Sequence, residues 1–371
     1  MFKNPFKSTS PDQNHQDFIH QYLENFKSEV FPNGVLSALS SFTIAQNKNT
    51  YDLQFGLLFP CQGELEEIAR QLVLELDIDI ELTLSLQTES VRSHSIAGIK
   101  NIIAVASGKG GVGKSTTTVN LAYALMAEGA KVAVLDADIY GPSIPTMLGI
   151  EGQRPSSLDG KLMQPINASG LQAMSIGLLV SESDATVWRG PMASSAFSQL
   201  LNETNWQSQD GEEIDYLLID MPPGTGDIQL TLAQKVPVAA AVIVTTPQNI
   251  ALKDAVKGIS MFDKVNVPVL GVVENMSFHI CDNCGHHANI FGSDGGKQLT
   301  INENVPLLGQ LPLQENIRVQ ADSGNSLLTL DSASEISTMY RKIARRMAAE
   351  LFYQLDLRSP NAVVIETINE I

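Results

Sequence analysis

From about residue 99 to residue 355, short apolar runs alternate with stretches of helical period. Residues 101–106 (Asn-Ile-Ile-Ala-Val-Ala) are continuous, apolar and rich in β-branched side chains, the pattern of a strand covered on both faces. Residues 131–136, 216–220, 239–245 and 268–273 repeat it. Residues 115–126 read instead as a helix, with Val119, Ala122 and Met126 on one face and Gly129 where a C-terminal stop belongs. This alternation predicts an α/β fold, a mostly parallel sheet flanked by helices.

The first 90 residues read differently. Residues 17–30 and 64–76 have helical periodicity, the latter with Ile68, Leu72 and Leu76 in register, while residues 51–58 and 78–86 alternate as strands. We read a small α+β domain over 1–90, a polar linker over 91–98, a larger domain over 99–355 and a C-terminal tail over 356–371. The last helix, residues 333–355, carries Ile336, Met339, Ile343, Met347 and Leu351 on one stripe and Arg341, Lys342, Arg345 and Arg346 in its middle. A membrane-surface helix would look similar. An acidic tail with Glu366 and Glu370 follows it, and the stripe fits ordinary docking on a core.

Composition narrows the partners. With 24 basic and 41 acidic residues the net charge is −17, which argues against non-specific nucleic-acid binding. No apolar run is long enough to span a bilayer, and the N-terminus lacks the apolar core of a signal peptide. Only three cysteines are present, which suits a reducing cytoplasm.

Between the first strand and helix of the larger domain lies Gly108-Lys109-Gly110-Gly111-Val112-Gly113-Lys114-Ser115, a match to the phosphate-loop pattern G-x-x-x-x-G-K-[ST]. The glycines let backbone N–H groups cradle phosphate oxygens, and the helix N-terminus adds partial positive charge. Lys114 is expected at the β- and γ-phosphates of ATP, and the Ser115 hydroxyl at Mg²⁺. Asp138, Asp220 and Asn275 follow three other strands, so a parallel sheet carries them to the same edge. Asp220 opens Asp220-Met221-Pro222-Pro223-Gly224-Thr225-Gly226-Asp227, a proline- and glycine-dense loop suited to sensing the γ-phosphate.

Lys109, Asp136-Ala137-Asp138 and the 220–227 loop together resemble the deviant-Walker P-loop ATPases, which include the nitrogenase iron protein, the Min and Par positioning ATPases and the Mrp/ApbC proteins. The resemblance implies that Lys109 crosses a homodimer interface to the partner's phosphates. It also implies that Asp138 orients the attacking water, Asp220 holds Mg²⁺ through water and Asn275 hydrogen-bonds the adenine. A cation supplied by a second chain can stabilise transition-state charge, so the first of these also has a physical logic.

Cys281-Asp282-Asn283-Cys284 brings two thiolates within reach of one metal, yet a closed site usually has four ligands. His286 or His287 could complete a zinc site within one chain, the pair could form a redox disulfide, or two chains could share a centre. If Lys109 needs a dimer, a two-fold axis already sets the two pairs face to face, which favours the shared centre; thiolate chemistry does not separate iron–sulfur from zinc. Cys61, alone after Pro60, reads as a small buried hydrophobe rather than a third ligand.

From about residue 99 to about 355 the chain is similar to the Mrp/ApbC iron–sulfur cluster carriers. The likeness is carried by residues 137–145, by Trp188-Arg189-Gly190-Pro191-Met192, by the 220–227 loop and by Glu274-Asn275-Met276-Ser277 leading to the cysteines. It implies a cytoplasmic ATPase whose Cys281 and Cys284 hold a cluster, [4Fe–4S], bridging a homodimer. The cluster would pass to apoproteins in concert with assembly factors, without nucleic acid or membrane. A positioning ATPase of the Par/Min class and a zinc-stapled nucleotide switch are the competing readings.

Overall fold

The computed structural model describes residues 11–139, 141–157, 160–179, 190–281, 283–354 and 364–367. Trp188, Arg189, Asp282, Leu355 and Glu370, singled out above, lie outside them. The chain divides into two compact units, residues 1–88 with 348–371 and residues 89–347.

In the smaller unit, β1 (Leu39–Asn47) and β2 (Thr50–Leu57) form an antiparallel hairpin. Helix α2 (Gln62–Leu76) then crosses over to β3 (Asp79–Leu86), which pairs in parallel with β2. Leu65, Ile68 and Leu72 of α2 are buried. Helix α1 runs Pro11–Asn25 and stops short of the periodicity that continues to residue 30. There the Ser28 hydroxyl accepts the N–H groups of Val30 and Phe31, each at 3.2 Å, a local alternative to the helix ladder. Phe31 also precedes Pro32, which disfavours helix. Within the expected tail, Val364–Thr367 is a strand paired in parallel with Ser41–Ile44 of β1. Cys61 is buried at the start of α2.

The larger unit is built on strands β4 (Ile99–Ala106), β5 (Val132–Asp136), β6 (Ile166–Ala168), β7 (Leu171–Ser175), β8 (Ile214–Asp220), β9 (Ala240–Thr245), β10 (Val269–Ile280), β11 (His287–Ala288) and β12 (Leu307–Pro312). They form one sheet in the order β11-β10-β9-β4-β8-β5-β7-β6, with β12 also on β10. All pairings are parallel except β6 with β7 and β10 with β11. Its longer helices are α3 (Lys114–Ala127), α4 (Gly190–Asn202), α5 (Asp227–Lys235), α6 (Asn249–Lys264), α7 (Gly295–Glu303), α8 (Glu315–Asp322) and α9 (Glu335–Gln354), the last belonging to this unit as far as Met347. Ile102, Leu217, Ile219 and Ile243 of the sheet pack with Phe197 of α4 and with Ile259 and Phe262 of α6. The expected mostly parallel α/β architecture is the one observed.

Ile336, Ile343, Met347 and Leu351 of α9 are buried, and its arginines bond within the protein. Arg341 and Arg345 donate to the Glu128 carboxylate at 2.7 and 2.9 Å, and Arg346 donates to the Leu308 carbonyl at 3.1 Å. Glu128 is fully buried at the C-cap of α3. A buried carboxylate is costly unless its charge is paired, so these two ion bridges help fix the far end of the helix whose first turn carries Lys114. Glu128→Ala is expected to lower the unfolding free energy of the larger unit by about 3 kcal/mol in urea titrations. A loss below about 1 kcal/mol would mean that the arginines are as well solvated without it.

Candidate functional site

The carboxyl ends of the parallel strands bring the expected residues to one edge. After β4 the chain turns through residues 107–113 and enters α3 at Lys114, with Gly113 as N-cap. Gly113 holds φ +81°, and a Cβ there would collide with the Asn275 amide nitrogen. That nitrogen donates to the Val112 carbonyl at 2.9 Å, so the contact shown by Asn275, expected at adenine, is with the loop itself. Ser107 secures the other limb. Its Oγ donates to the Lys109 carbonyl at 2.9 Å, and its carbonyl accepts the Gly224 N–H at 3.0 Å, which ties the phosphate loop to the 220–227 loop. Lys109 is half-buried on this loop, and Gly110 and Gly111 are exposed beside it.

Asp220, fully buried at the end of β8, is the centre of the site. Its Oδ2 accepts from Lys114 Nζ at 2.6 Å and from Ser115 Oγ at 2.6 Å, and its Oδ1 accepts from Thr118 Oγ1 at 2.7 Å. Lys114 and Thr118 stand four residues apart on one face of α3, which is why both reach it. Thr118, which sequence reasoning missed, was legible only through that spacing. A carboxylate beside a hydroxyl offers the hard oxygen donors that Mg²⁺ takes, and the loop with Lys114 fits a polyphosphate.

Asp136, read from the sequence as a strand end and as the first residue of Asp136-Ala137-Asp138, organises the neighbouring turn. One carboxylate oxygen accepts the Asp138 N–H at 3.0 Å; the other accepts the Ile144 N–H at 3.2 Å and the Ser175 hydroxyl at 3.1 Å. The Ala137 N–H donates to the Asp220 carbonyl at 2.9 Å, so the turn bearing the half-buried Asp138 is tethered at both carboxylate positions. Burial, and then the nearby Asp220 charge, push the Asp136 carboxyl up to about 8, against the pull of its N–H donors and Lys114.

Cys281 and Cys284 sit at the turn of the β10–β11 hairpin, Cys281 half-buried and Cys284 exposed. The Cys281 N–H donates to the His286 carbonyl at 3.0 Å, and the Gly285 N–H donates back to the Cys281 carbonyl at 2.8 Å. His287 stacks on Phe278, ring centroids 5.6 Å apart. Among the described residues, no third His, Cys, Asp or Glu gathers with the two thiols.

Residues 98–348 match the ParA family model described as NUBPL iron-transfer P-loop NTPase. The chain belongs to this family. An iron-sulfur cluster carrier protein of Escherichia coli strain K12 is 51% identical over 341 residues, 90% of this chain and 91% of its own. The iron-sulfur cluster transfer protein NUBPL of Mus musculus is 47% identical over 258 residues, 69% of this chain and 79% of its own. A nucleotide-binding protein from Archaeoglobus fulgidus, solved in complex with ADP, superposes with a TM-score of 0.54 at 36% identity, covering 62% of this chain and 88% of that one.

The raised Asp136 carboxyl gives this sheet edge a pH signature. Its folded value lies above the ordinary 3.8, so the native state keeps a proton that the unfolded chain has released. That contribution is complete below the ordinary value and is lost as pH rises toward about 8. In metal- and nucleotide-free protein, Asp136→Asn is expected to gain stability relative to wild type between about pH 5 and about pH 8, read by urea unfolding. A difference flat across that range would contradict the assignment.

Proposed function

We propose that this chain is an ATP-hydrolysing iron–sulfur cluster carrier acting as a homodimer. The observation that carries the reading is a thiol pair at the tip of a hairpin whose first strand, β10, also holds Asn275 against the phosphate loop. The names of the family relatives support the cargo. Two thiolates per chain supply half of a four-thiolate cage, and the second copy supplies the rest. The exposed position of Cys284 suits a cluster that must be handed to an apoprotein.

On this reading the N–H groups of residues 110–115 and the Lys114 ammonium grip the phosphates of ATP. Ser115 and Asp220 would hold Mg²⁺, which neutralises phosphate charge when bound. To reach the phosphates Lys114 leaves Asp220, and the carboxylate it releases becomes available to the metal shell. Asp138, on the tethered turn after β5, orients the attacking water and accepts its proton. Lys109 acts across the dimer on the partner's phosphates, so hydrolysis requires a closed pair of chains. The net charge of −17 and the burial of the α9 stripe speak for protein clients over DNA or lipid.

Two measurements test this. Cys281→Ser with Cys284→Ser, reconstituted anaerobically with iron and sulfide, is expected to lose the visible cluster absorbance and bound iron while still binding nucleotide; iron retained at the wild-type level would remove the pair from the site. Lys109→Ala is expected to slow ATP hydrolysis by about 100-fold or more, with ATP affinity changed far less. Wild-type turnover in that variant would leave Lys109 as a solvated loop residue.

A further inference from the structure

Glu274 is a fully buried carboxylate that the proposed chemistry does not use. It stands on β10 immediately before Asn275 and seven positions before Cys281. Its Oε1 accepts the Gly296 N–H at 2.6 Å, and its Oε2 accepts from Gln310 Nε2 at 2.6 Å and from Ser277 Oγ at 2.5 Å. Gln310 also donates to Ser277 Oγ at 2.9 Å, which closes a ring of three side chains. At Gly296 a Cβ would lie 2.7 Å from the carboxylate oxygen, so the glycine is what admits it.

The ring encloses an irregularity in the strand. Between Glu274 and Phe278, β10 advances four residues while its partner β12 advances only from Gln310 to Pro312. The surplus chain is taken up at Asn275, Met276 and Ser277, and Met276 adopts φ +54°, a left-handed conformation unfavourable for a side chain of its shape. Bulges of this kind re-aim side chains next to functional sites. On one side of this bulge Asn275 reaches the Val112 carbonyl. On the other side β10 resumes, the Leu313 N–H donates to the Phe278 carbonyl at 2.7 Å, and the strand runs into the cysteine hairpin.

We propose that Glu274 is a positioning residue that couples the nucleotide loop to the Cys281–Cys284 hairpin. Its three donors come from β10, β12 and the start of α7, so the carboxylate pins the bulge to two elements outside the strand. With the bulge pinned, a displacement of Val112 that pulls on Asn275 moves the resumed strand as a body. Without the pin, Met276 relaxes and absorbs the displacement. The inference rests on the reading that nucleotide and thiols communicate, but its test does not need a cluster.

The test is the alkylation rate of Cys284 by iodoacetamide in metal-free, full-length protein, with and without Mg-ATP analogue, read by peptide mass. In wild type the nucleotide is expected to change the rate roughly fivefold or more, and in Glu274→Gln, where an amide N–H replaces one acceptor among three donors, the two rates converge. Gln310→Ala, a milder cut of the same ring, is expected to reduce the ratio part-way. A nucleotide effect of wild-type size in both variants would overturn the proposal, as would a wild-type rate that ignores nucleotide. Loss of iron binding in wild type would instead defeat the carrier reading and leave this result standing. Analogue binding, measured in parallel by fluorescence titration, must saturate in each variant; a merely structural defect lowers that binding without selectively removing the response of Cys284.

Discussion

The buried charge at the end of β8 is the constraint on which the rest of the site depends. Asp220 has no solvent, and a carboxylate in such a place must be met by donors. Lys114, Ser115 and Thr118 meet it with three contacts from the first turns of α3. That requirement fixes the rotation of α3, which in turn sets the phosphate loop against Asn275. The backbone of Asp220 also accepts the Ala137 N–H, so the turn bearing Asp138 is registered to the same residue. A single neutralised carboxylate therefore places the loop, the metal candidates and the water-orienting candidate in one frame. The Glu128 cluster at the opposite end of α3 keeps that frame from pivoting.

Much of this was legible in the sequence because parallel sheets leave strong local marks. The five apolar runs of the larger domain are strands β4, β5, β8, β9 and β10, since a strand covered on both faces has no polar positions to blur its pattern. The phosphate loop was legible because each of its positions has a separate steric or electrostatic duty. What escaped depends on contacts made far along the chain. Strands β6 and β7 are short, and only pairing defines them. The continuation of β10 past Val273 crosses a bulge with a left-handed methionine, which no period reveals. The hub roles of Asp136 and Glu274 come from donors at Ser175, Gly296 and Gln310, remote in sequence. The early stop of α1 turns on one serine hydroxyl competing with the helix ladder.

The functional reading joins two incomplete arrangements. On that reading a loop lysine, Lys109, that acts on a partner's phosphates and a thiol pair with two ligand positions to fill would both be completed by a second copy of the chain. Both arrangements meet β10, the phosphate loop through the Asn275–Val112 hydrogen bond and the thiol pair through the β10–β11 turn. On the proposed function the P-loop NTPase fold is adapted to cargo by holding the Asp220 carboxylate buried at the nucleotide side, while the thiol pair stands on a hairpin with Cys284 exposed, from which a cluster could be handed on.

On the proposed function, two chains together build one thiolate cage. Native mass spectrometry of the anaerobically reconstituted protein tests it directly. The expected species is two chains carrying one four-iron, four-sulfide cluster, which falls to cluster-free monomer when either cysteine of the pair is replaced. A single chain carrying its own zinc ion or its own cluster would contradict it.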